Sequence, residues 1–445
     1  MDYSNIIKAY DVRGVFPDEL DAVAATRIGA AFAAFVDSES VLVGYDCRES
    51  SPELRDALIE GITGQGVDVR LMGEIPTDAL YYASGEYSMP GAVITASHNP
   101  AEYNGLKFCK SAAAPIGADT GLREIRAMAE AGLPRTSKQG TVTLIDVKPG
   151  FVDHVLSSTG ADGIGRFEVV ADGGNGMVGT VLPQVFERIN ADLLGLYLEP
   201  DGTFPNHPAD PLRPENLVDL VNLVRERKPD LGVAFDGDAD RAFFVDDQAS
   251  PLPGSTTTAI IADWYLKRNP GATVVHNLIC SKAVPETITG RGGVAVRTKV
   301  GHSYIKAVMA DTGAVFGGEH SGHYYFKDNY RADSGIMATL VLLRVLSDEG
   351  VPLSELRKWY EPYEQSGEVN FVVSDVLAAD AAVAEAFADG AIDRLDGLTV
   401  DLGDRWFNLR PSNTEPVLRL NVEAPTPADV AELTGRVEHI IKEYT

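Results

Sequence analysis

The sequence contains few cysteines, and it lacks both a long apolar run and a basic segment followed by an apolar one at its start. Its three cysteines, Cys47, Cys109 and Cys280, are an odd number without a CxxC spacing. This argues against a disulfide framework and against a thiolate metal site. No stretch of about 18 apolar residues is present that could cross a bilayer. We therefore expect a protein that is not exported, has no membrane partner and resides in a reducing cytoplasm.

Basic residues are also scarce relative to acidic ones. The chain has 38 lysines and arginines against 65 aspartates and glutamates, a formal net charge of −27 at pH 7. A negative field of this size repels nucleic acids and anionic membrane surfaces, so neither is expected as a partner. A small phosphorylated ligand would be repelled at long range as well. Such a ligand would need a local pocket of arginines and lysines.

The length and the order of the predicted elements indicate several domains. At about 150 residues per domain, a chain of 445 residues corresponds to three or four domains. A succession of strand, turn, helix and strand occurs three times, with strand candidates in VLVGYD, FEVVADGGNG and TVVHN. The last part is predicted to be α+β, with strands FVVSDV, WFNLRP and VLRLNVEA and a helix from Pro427. We expect domains at 1–145, 146–252, 253–365 and 366–445.

Three aspartates at alternate positions follow a predicted strand in AFDGDADR. A turn can bring Asp236, Asp238 and Asp240 together, and carboxylate oxygens are preferred ligands of hard cations such as Mg²⁺. A calcium-binding EF-hand loop is excluded, because its sixth position requires glycine where this sequence has Arg241. An ordinary solvated turn remains an alternative, since aspartate is common in turns. Arg241 favours a phosphate beside the metal.

Ser97 lies where the apolar strand in VITASHNP ends in a turn. Ligands and nucleophiles collect at strand ends in α/β sheets, so Ser97 is a candidate nucleophile. The alternative is that Ser97 or Asn99 only caps a turn before Pro100. An acyl-transfer serine would be expected in a GxSxG motif, and neither Ser97 nor Ser321 has both flanking glycines. A serine hydrolase is therefore not indicated.

The segment LRPSNTEP places a guanidinium, two hydroxyls, an amide and successive backbone N–H groups in one tight loop. These are the groups that bind phosphate oxygens, and they belong to Arg410, Ser412, Asn413 and Thr414. An ordinary polar hairpin turn is the alternative.

The segment GGEHSGHYYF combines flexible glycines with polar side chains. Glu319, Ser321 and His323 can lie on one side of a turn and hydrogen-bond neighbouring hydroxyls of a sugar. For His320 and His323, a purely structural role is the commoner alternative.

A dinucleotide-binding pattern is present as well. In GGNGMVG, residues Gly174, Gly176 and Gly179 have the GxGxxG spacing after a strand and before a predicted helix, and Glu199 ends the next predicted strand. Taken alone this pattern indicates an NAD-dependent oxidoreductase. No residue pattern for hydride transfer accompanies it, whereas the acidic triplet, the serine turn and the phosphate loop indicate phosphoryl chemistry.

Four motifs in this order, TASHNP with NGLKF, DGDADR, GEHSGH and RPSNT, resemble those of the α-D-phosphohexomutases. The resemblance covers essentially the whole chain and includes AYDVRG near the start. It implies an α/β protein with three related α/β domains and a smaller α+β C-terminal domain around a central active-site cleft. It also implies an enzyme that interconverts hexose 1-phosphates and hexose 6-phosphates through a phosphoserine and a hexose 1,6-bisphosphate.

The resemblance further implies roles for the residues that match its motifs. Ser97 would be the phosphoserine and, with Asp236, Asp238 and Asp240, would hold Mg²⁺. The groups that surround the reacting phosphate and share proton transfer would be Arg13, His98, Lys107, Arg241 and His302. The groups that bind the substrate would be Lys299, Glu319, Ser321, His323, Arg410, Ser412, Asn413 and Thr414.

Within this family, TASHNP, the ending of GEHSGH and Asn413 are similar to the phosphomannomutase/phosphoglucomutase branch. Two positions differ from that branch: Ala239 stands where glycine is frequent, and His320 occupies a variable position. A phosphoglucosamine mutase therefore remains an alternative, as does a non-catalytic phosphosugar-binding relative. Hexose phosphates are the expected small-molecule partners and hexose 1,6-bisphosphate the expected activator, whereas the oligomeric state is left open.

Overall fold

In a computed structural model of the protein, which describes residues 1–8, 10–411 and 417–444, the chain forms four successive sheets. The first unit has a six-stranded sheet in the order β1-β5-β4-β2-β3-β6. Its elements are β1 Val12–Val15, α1 Ala22–Val36, β2 Ser40–Tyr45, α2 Ser51–Gly64, β3 Asp68–Glu74, α3 Thr77–Tyr87, β4 Gly91–Ile94, β5 Tyr103–Cys109, α4 Arg123–Ala131 and β6 Val142–Leu144. Strands β4, β2, β3 and β6 are parallel, and β5 is antiparallel to β4.

The second unit has a four-stranded sheet in the order β10-β9-β7-β8. Its elements are α5 Lys148–Thr159, β7 Phe167–Asp172, α6 Leu182–Phe186, β8 Ala191–Leu196, α7 Val218–Arg227, β9 Leu231–Phe235 and β10 Ala242–Val245. Strands β8, β7 and β9 are parallel, and β10 is antiparallel to β9.

The third unit has a five-stranded sheet in the order β12-β11-β13-β14-β15. Its elements are α8 Gly254–Arg268, β11 Thr273–Asn277, α9 Ala283–Gly290, β12 Val294–Thr298, α10 His302–Thr312, β13 Phe316–Gly318, β14 Tyr324–Phe326, β15 Ala332–Asp333, α11 Gly335–Glu349 and α12 Leu353–Leu356. Strands β12, β11 and β13 are parallel, and β14 is antiparallel to β13.

The first three units thus share one arrangement, a group of parallel strands followed by one antiparallel strand. In each unit a short turn connects the last parallel strand to the antiparallel one. These turns lie between β4 and β5, between β9 and β10, and between β13 and β14. They contain TASHNP, DGDADR and GEHSGH respectively, so three of the four motifs occupy equivalent positions in related domains.

The fourth unit has a five-stranded antiparallel sheet in the order β16-β20-β19-β18-β17. Its elements are β16 Glu364–Phe371, α13 Val376–Ala386, β17 Ala391–Asp393, β18 Leu398–Asp401, β19 Trp406–Pro411, β20 Leu418–Ala424 and α14 Pro427–Ile441. The prediction of a strand through FVVSDV is wrong beyond Phe371. Asp375 caps α13 there, because its side chain accepts a hydrogen bond from the backbone N–H of Ala378.

The cores follow the same division. One hydrophobic cluster runs through buried side chains of all of the first three units, from Leu42 to Tyr360. The cluster of the fourth unit is made by buried side chains from Ala379 to Ile441. Among the described residues, no helix combines the length and the apolar character needed to cross a membrane. The predicted fold class of three related α/β domains and a smaller α+β domain is confirmed.

Candidate active site

Turns from the first three units meet at one place. The hydroxyl of Ser97 lies 2.9 Å from a carboxylate oxygen of Asp236, although the two residues are 139 positions apart. Arg241, at the end of the acidic turn, forms a β-bridge with His323 of the third unit. The serine turn, the acidic turn and the glycine-rich turn therefore surround a common space.

The acidic turn brings its three carboxylates together because β9 and β10 are antiparallel and pair Phe235 with Ala242. One oxygen from each of Asp236, Asp238 and Asp240 lies within 4.8 Å of the others, and all three residues are almost fully buried. Oδ1 of Asp238 has no hydrogen-bond partner in the described part of the chain, and Oδ1 of Asp240 lies 3.5 Å from Nε2 of His323. Buried carboxylate oxygens without a partner fit a hard cation such as Mg²⁺.

Two buried cations compensate the acidic turn. The ammonium of Lys107, on β5, lies 2.6 Å from both Asp238 and Asp240, and Nε of Arg241 donates to Asp236 at 2.8 Å. Burial opposes the charge of Lys107, but the two carboxylates raise its pKa well above the ordinary value. Nη2 of Arg241 is buried and has no partner among the described residues, which leaves it available to a phosphate oxygen.

The carboxylates of the acidic turn differ in protonation. Burial raises the pKa of Asp236 to about 7 despite the nearby Arg241 guanidinium. Burial would raise the pKa of Asp240 too, but the charge of Lys107 and the hydrogen bond from His323 lower it well below the ordinary value. Removing water from carboxylates so close together disfavours three simultaneous charges, and a bound cation would favour them.

Ser97 is held in an unusual backbone conformation. Its φ is +53°, a left-handed value that is uncommon for a residue with a side chain. The residue is buried, its N–H donates to the hydroxyl of Thr95, and its own hydroxyl also lies 3.2 Å from Nδ1 of His98. Burial and the charges of Arg241 and Arg13 lower the pKa of His98 well below its ordinary value, so this ring is neutral.

Arg13 approaches the serine turn from β1. Its Nη1 donates to the side chain of Asn99 and to the carbonyl of Ala96, and its guanidinium forms an ion pair with Asp11 at 2.8 Å. The side chain of Arg13 is about a quarter exposed. It is therefore close to Ser97 and still accessible from the cleft.

The glycine-rich turn has its polar groups largely engaged with the protein. Glu319 is buried and accepts hydrogen bonds from Tyr325 at 2.6 Å, from Asn277 at 3.0 Å and from the N–H of Gly301 at 3.2 Å. Ser321 and Nδ1 of His323 lie 3.1 Å apart.

His323 links the glycine-rich turn to the acidic turn. Its Nε2 lies 3.5 Å from Asp240. Burial would lower the pKa of His323, but the hydrogen bond and charge of Asp240, with Glu319 and Asp333, raise it.

The segment KVGHSYIK supplies a second histidine from the third unit. His302 begins α10, and neither of its ring nitrogens has a hydrogen-bond partner within the described ranges. Burial, with a contribution from Lys306, lowers the pKa of His302 to about 3, so its ring is neutral and able to accept a proton. The ammonium of Lys299 lies 5.7 Å from the ring centre of Tyr304.

Arg410 represents the fourth motif. It lies in β19, is 4% exposed and has the carboxylate of Glu368 at 3.7 Å. Its Nε is buried without a partner among the described residues, and burial lowers its pKa. A buried guanidinium with an unused donor fits a phosphate. The other predicted residues of this loop, Ser412, Asn413 and Thr414, lie outside the described residues.

The glycines of GGNGMVG have a packing role. A side chain on Gly176 would come within 2.6 Å of the backbone of Gly237 in the acidic turn, and one on Gly179 would collide with the backbone of Leu198. The N–H of Met177 donates to the carbonyl of Gly237 at 2.8 Å. The helix that follows, α6, has only five residues, in contrast to the longer helix that the sequence indicated. The glycine segment therefore packs against the backbone of the acidic turn at Gly237.

Sequence motifs did not identify several residues that shape this site. Thr77 donates to Asp238 at 2.5 Å from the start of α3, and Tyr325 and Asn277 orient Glu319. The sequence assigned no role to these three residues, and the contact of Thr77 with Asp238 depends on how the first two units pack. His320, which the sequence left undecided, lies 3.0 Å from the hydroxyl of Ser255, and burial lowers its pKa to about 4.

Comparisons with known proteins agree with this architecture. Family models of the phosphoglucomutase/phosphomannomutase α/β/α domains I, II and III match residues 4–135, 149–249 and 253–363. The model of the phosphoglucomutase/phosphomannomutase C-terminal domain matches residues 368–440. Together these matches follow the four units in order.

Similar proteins match over nearly their whole length. A phosphomannomutase of Salmonella montevideo is 36% identical over 447 residues, covering 98% of each chain. A protein of Xanthomonas campestris pv. campestris described as phosphohexose mutases is 38% identical over 442 residues, covering 97% of each. The crystal structure of a phosphoglucomutase/phosphomannomutase family protein from Burkholderia thailandensis has a TM-score of 0.91 at 32% identity, covering 100% of this chain and 98% of that one.

The motif order, the four units and the shared turns converge with these matches, and they confirm the prediction of an enzyme of the α-D-phosphohexomutase family. The chain therefore belongs to the phosphoglucomutase/phosphomannomutase family of phosphohexomutases.

Proposed function

We propose that this phosphohexomutase interconverts the 1-phosphates and 6-phosphates of mannose and glucose through a phosphorylated Ser97. The observation that carries the proposal is the contact between the hydroxyl of Ser97 and Asp236, inside a group of three buried carboxylates and two buried cations. A serine hydroxyl in such surroundings can carry a phosphoryl group, because the buried cations Lys107 and Arg241 offset its negative charge.

The acidic turn would hold the metal. Asp236, Asp238 and Asp240, together with an oxygen of phosphorylated Ser97, offer only oxygen ligands, as Mg²⁺ prefers. The buried, unpartnered oxygen of Asp238 supports this assignment. Bound Mg²⁺ would offset negative charge on the oxygens of the transferring phosphoryl group.

In the first half-reaction, the free hydroxyl of a hexose phosphate attacks the phosphorus on Ser97. A new bond forms between the sugar oxygen and phosphorus, the bond to Oγ of Ser97 breaks, the sugar hydroxyl proton passes to a base, and Oγ of Ser97 takes up a proton. We assign this role to His302, because both of its ring nitrogens are unpartnered within the described part of the chain. Arg241, Lys107 and Arg13 would stabilise the charge on the transferring oxygens.

In the second half-reaction, the hexose 1,6-bisphosphate turns round and Oγ of Ser97 attacks its other phosphorus. The bond from that phosphorus to the sugar oxygen breaks, and the sugar oxygen takes up a proton. The hydroxyl of Ser97 then needs a proton acceptor, and the neutral His98 ring at 3.2 Å supports that assignment. Arg410, with Ser412, Asn413 and Thr414, would hold whichever phosphate is not reacting. Free hexose 1,6-bisphosphate would act as activator by phosphorylating any unmodified Ser97.

The sugar itself would be recognised by the glycine-rich turn. Glu319 and Ser321 would bind the 3- and 4-hydroxyls, with His323 and Lys299 beside them. Glucose and mannose differ only at C2, so these contacts do not separate the two sugars and both should be accepted. Kinetics on glucose 1-phosphate and mannose 1-phosphate test this, and a discrimination beyond about 100-fold would contradict it.

The domain boundaries and the location of the protein are also proposals. We place the domains at 1–145, 146–252, 253–365 and 366–445, which the four family matches support. The three free cysteines, two of them buried, support a reducing cytoplasm. The net charge of −27 supports small hexose phosphates bound in a local basic pocket, with neither nucleic acid nor membrane as partner.

A serine substitution tests the proposed function directly. Ser97→Ala should abolish turnover of glucose 1-phosphate in the presence of Mg²⁺ and glucose 1,6-bisphosphate. Sugar phosphate should still bind, because the groups assigned to substrate binding remain. Intact-mass measurement should find one phosphoryl group on the wild type and none on the variant. Ser157→Ala, an exposed serine on α5, is the matched control and should behave as wild type. Full activity of Ser97→Ala would exclude the proposed mechanism.

A further inference from the structure

Arg48 is a fully buried cation behind the serine turn. It follows β2, has no exposed surface and forms an ion pair with Asp46 at 3.2 Å. A guanidinium taken out of water must have its donors satisfied, and Arg48 uses all five of its N–H groups. Nε donates to Asp46, and the four N–H groups of Nη1 and Nη2 are available for other acceptors.

All four of these acceptors are main-chain carbonyls, three in the serine turn and one at the start of β5. Nη1 donates to the carbonyls of Pro100 and Tyr103 at 2.6 and 3.0 Å, and Nη2 donates to those of Ser97 and Asn99 at 2.9 and 2.7 Å. One rigid planar group therefore fixes the direction of three carbonyls in the turn that contains Ser97 and of the first carbonyl of the strand that follows it.

This arrangement explains how Ser97 keeps its left-handed backbone. A serine with φ of +53° is held in a conformation that it would leave if the turn were free. The Ser97 carbonyl is bound by Arg48 on one side and packed against the acidic turn on the other. A side chain on Gly237 would approach that carbonyl oxygen to 2.4 Å.

Arg48 also connects the serine turn to the second unit. The ring of Phe204, in the loop between β8 and α7, lies 4.9 Å from the guanidinium carbon of Arg48, a cation–π distance. Gly202 allows this approach, because a side chain there would come within 2.4 Å of the Arg48 backbone. The guanidinium is thus covered by the same unit that carries the acidic turn.

We propose that Arg48 is a positioning residue for phosphoryl transfer. It acts through the main-chain carbonyls of the serine turn, which it orients so that the hydroxyl of Ser97 meets Asp236 at the metal turn. It does not contact the reacting atoms itself. This inference rests on the proposed role of Ser97 as phosphoryl carrier.

Arg48→Lys tests the proposal, because lysine keeps the charge but cannot bind four carbonyls from one plane. A displacement of Ser97 by about 1 Å should lower kcat about 100-fold. KM for glucose 1-phosphate should stay within about threefold of the wild type, since the groups assigned to substrate binding are unchanged. Phosphorylation of Ser97 by glucose 1,6-bisphosphate, followed by intact mass, should slow by a similar factor.

Arg357→Lys is the matched control. Like Arg48, Arg357 donates both to carboxylates and to main-chain carbonyls. Its partners are the carboxylates of Asp246 and Glu361 and the carbonyls of Ser250 and Pro251, and none of these belongs to the serine turn. Its kcat and its rate of Ser97 phosphorylation should match the wild type. An equal loss in both lysine variants would show a general structural effect and overturn the positioning role, as would an unchanged kcat in Arg48→Lys.

A second variant decides the matter if Arg48→Lys fails to fold. Phe204→Leu keeps Arg48 and removes only the ring over it, and it should lower kcat about fivefold at unchanged KM. Unchanged kcat and unchanged Ser97 phosphorylation in Phe204→Leu would then overturn the inference. An active Ser97→Ala enzyme would refute the proposed function instead, whereas an inactive Ser97→Ala beside a fully active Arg48→Lys refutes only the role of Arg48.

Discussion

The ammonium group of Lys107 lies 2.6 Å from Oδ2 of Asp238, across the boundary between the first and second units, and it reaches Asp240 at the same distance. A positive charge of the protein therefore lies among the carboxylates assigned to Mg²⁺. Removing one partner of a buried ion pair leaves the other charge uncompensated, which is strongly destabilising. This relationship makes the stability of the site depend on both lysine and metal.

Lys107→Met should make the protein depend on Mg²⁺ for stability. Without metal, loss of the buried ion pairs should cost about 3–5 kcal/mol. Added Mg²⁺ should recover part of that loss, because a ligand that binds the folded state stabilises it. The increase in melting temperature on adding Mg²⁺ should therefore be larger in Lys107→Met than in the wild type. Lys267→Met is the control, because it removes the ion pairs of Lys267 with Asp263 and Glu349, which are not part of the acidic turn. It should show no such difference.

Asp238→Asn should weaken the metal site, while Asp240 still compensates the charge of Lys107. Asparagine keeps the shape of the side chain and the contact with Thr77, but it removes a charge that a hard cation requires. The Mg²⁺ concentration for half-maximal activity should rise at least about tenfold. Asp192→Asn, an exposed partner of Arg166, is the control, and its Mg²⁺ titration should follow that of the wild type. A wild-type Mg²⁺ response in Asp238→Asn would rule out this metal assignment.

Variants of His302 and His320 should distinguish a histidine that transfers a proton from one with a structural role. His302→Gln should lower kcat about 100-fold to 10,000-fold, the range typical for loss of a general acid or base. Phosphoserine 97 should remain detectable in this variant by intact mass, because the acidic turn is unchanged. His320→Gln, next to Ser255, should keep the wild-type kcat. Equal kcat values for the two variants would remove His302 from the mechanism.

His276 should make stability depend on pH. It lies buried in β11, and burial lowers its pKa from 6.5 to about 4. Between these values the unfolded chain binds a proton that the folded protein does not, so acid favours unfolding. Its contribution is complete above pH 6.5 and is lost as the pH falls towards 4, by up to about 1.4 kcal/mol per pH unit.

Urea unfolding midpoints at pH 7.5, 6 and 5 can measure this dependence. His276→Asn removes the titrating group and should reduce the fall in midpoint between pH 7.5 and 5. Other buried histidines, such as His302, have lowered pKa values and should retain their part of the effect. An identical pH dependence in the variant and the wild type would show that His276 takes up no proton on unfolding.

The sequence predicted the parts of the site that a single segment can specify. The Ser97 turn and the aspartates were identified because a run of apolar residues marks a buried strand and polar residues mark its end. The position of α14 followed in the same way, since Pro427 begins this helix as predicted. Local order along the chain was enough for each of these.

What the sequence did not predict depends on contacts between residues that are distant along the chain. The four hydrogen bonds of Arg48 to main-chain carbonyls, the bond from Thr77 to Asp238 and the ion pairs of Lys107 all join residues more than 40 positions apart. The glycines of GGNGMVG were open to a dinucleotide interpretation for the same reason. Only the structure reveals that Gly176 lies against the backbone of Gly237.

The hydrophobic clusters set the C-terminal unit apart from the rest of the enzyme. One cluster extends through all of the first three units and another belongs to the first unit, whereas Arg410 lies in a unit whose main cluster is built from its own residues. Heating should therefore give two calorimetric transitions, and partial unfolding of the C-terminal unit would leave the phosphoryl carrier and the acidic turn assembled. Arg410 would then no longer bind a sugar phosphate, while the residues of the serine turn and the acidic turn would keep their positions.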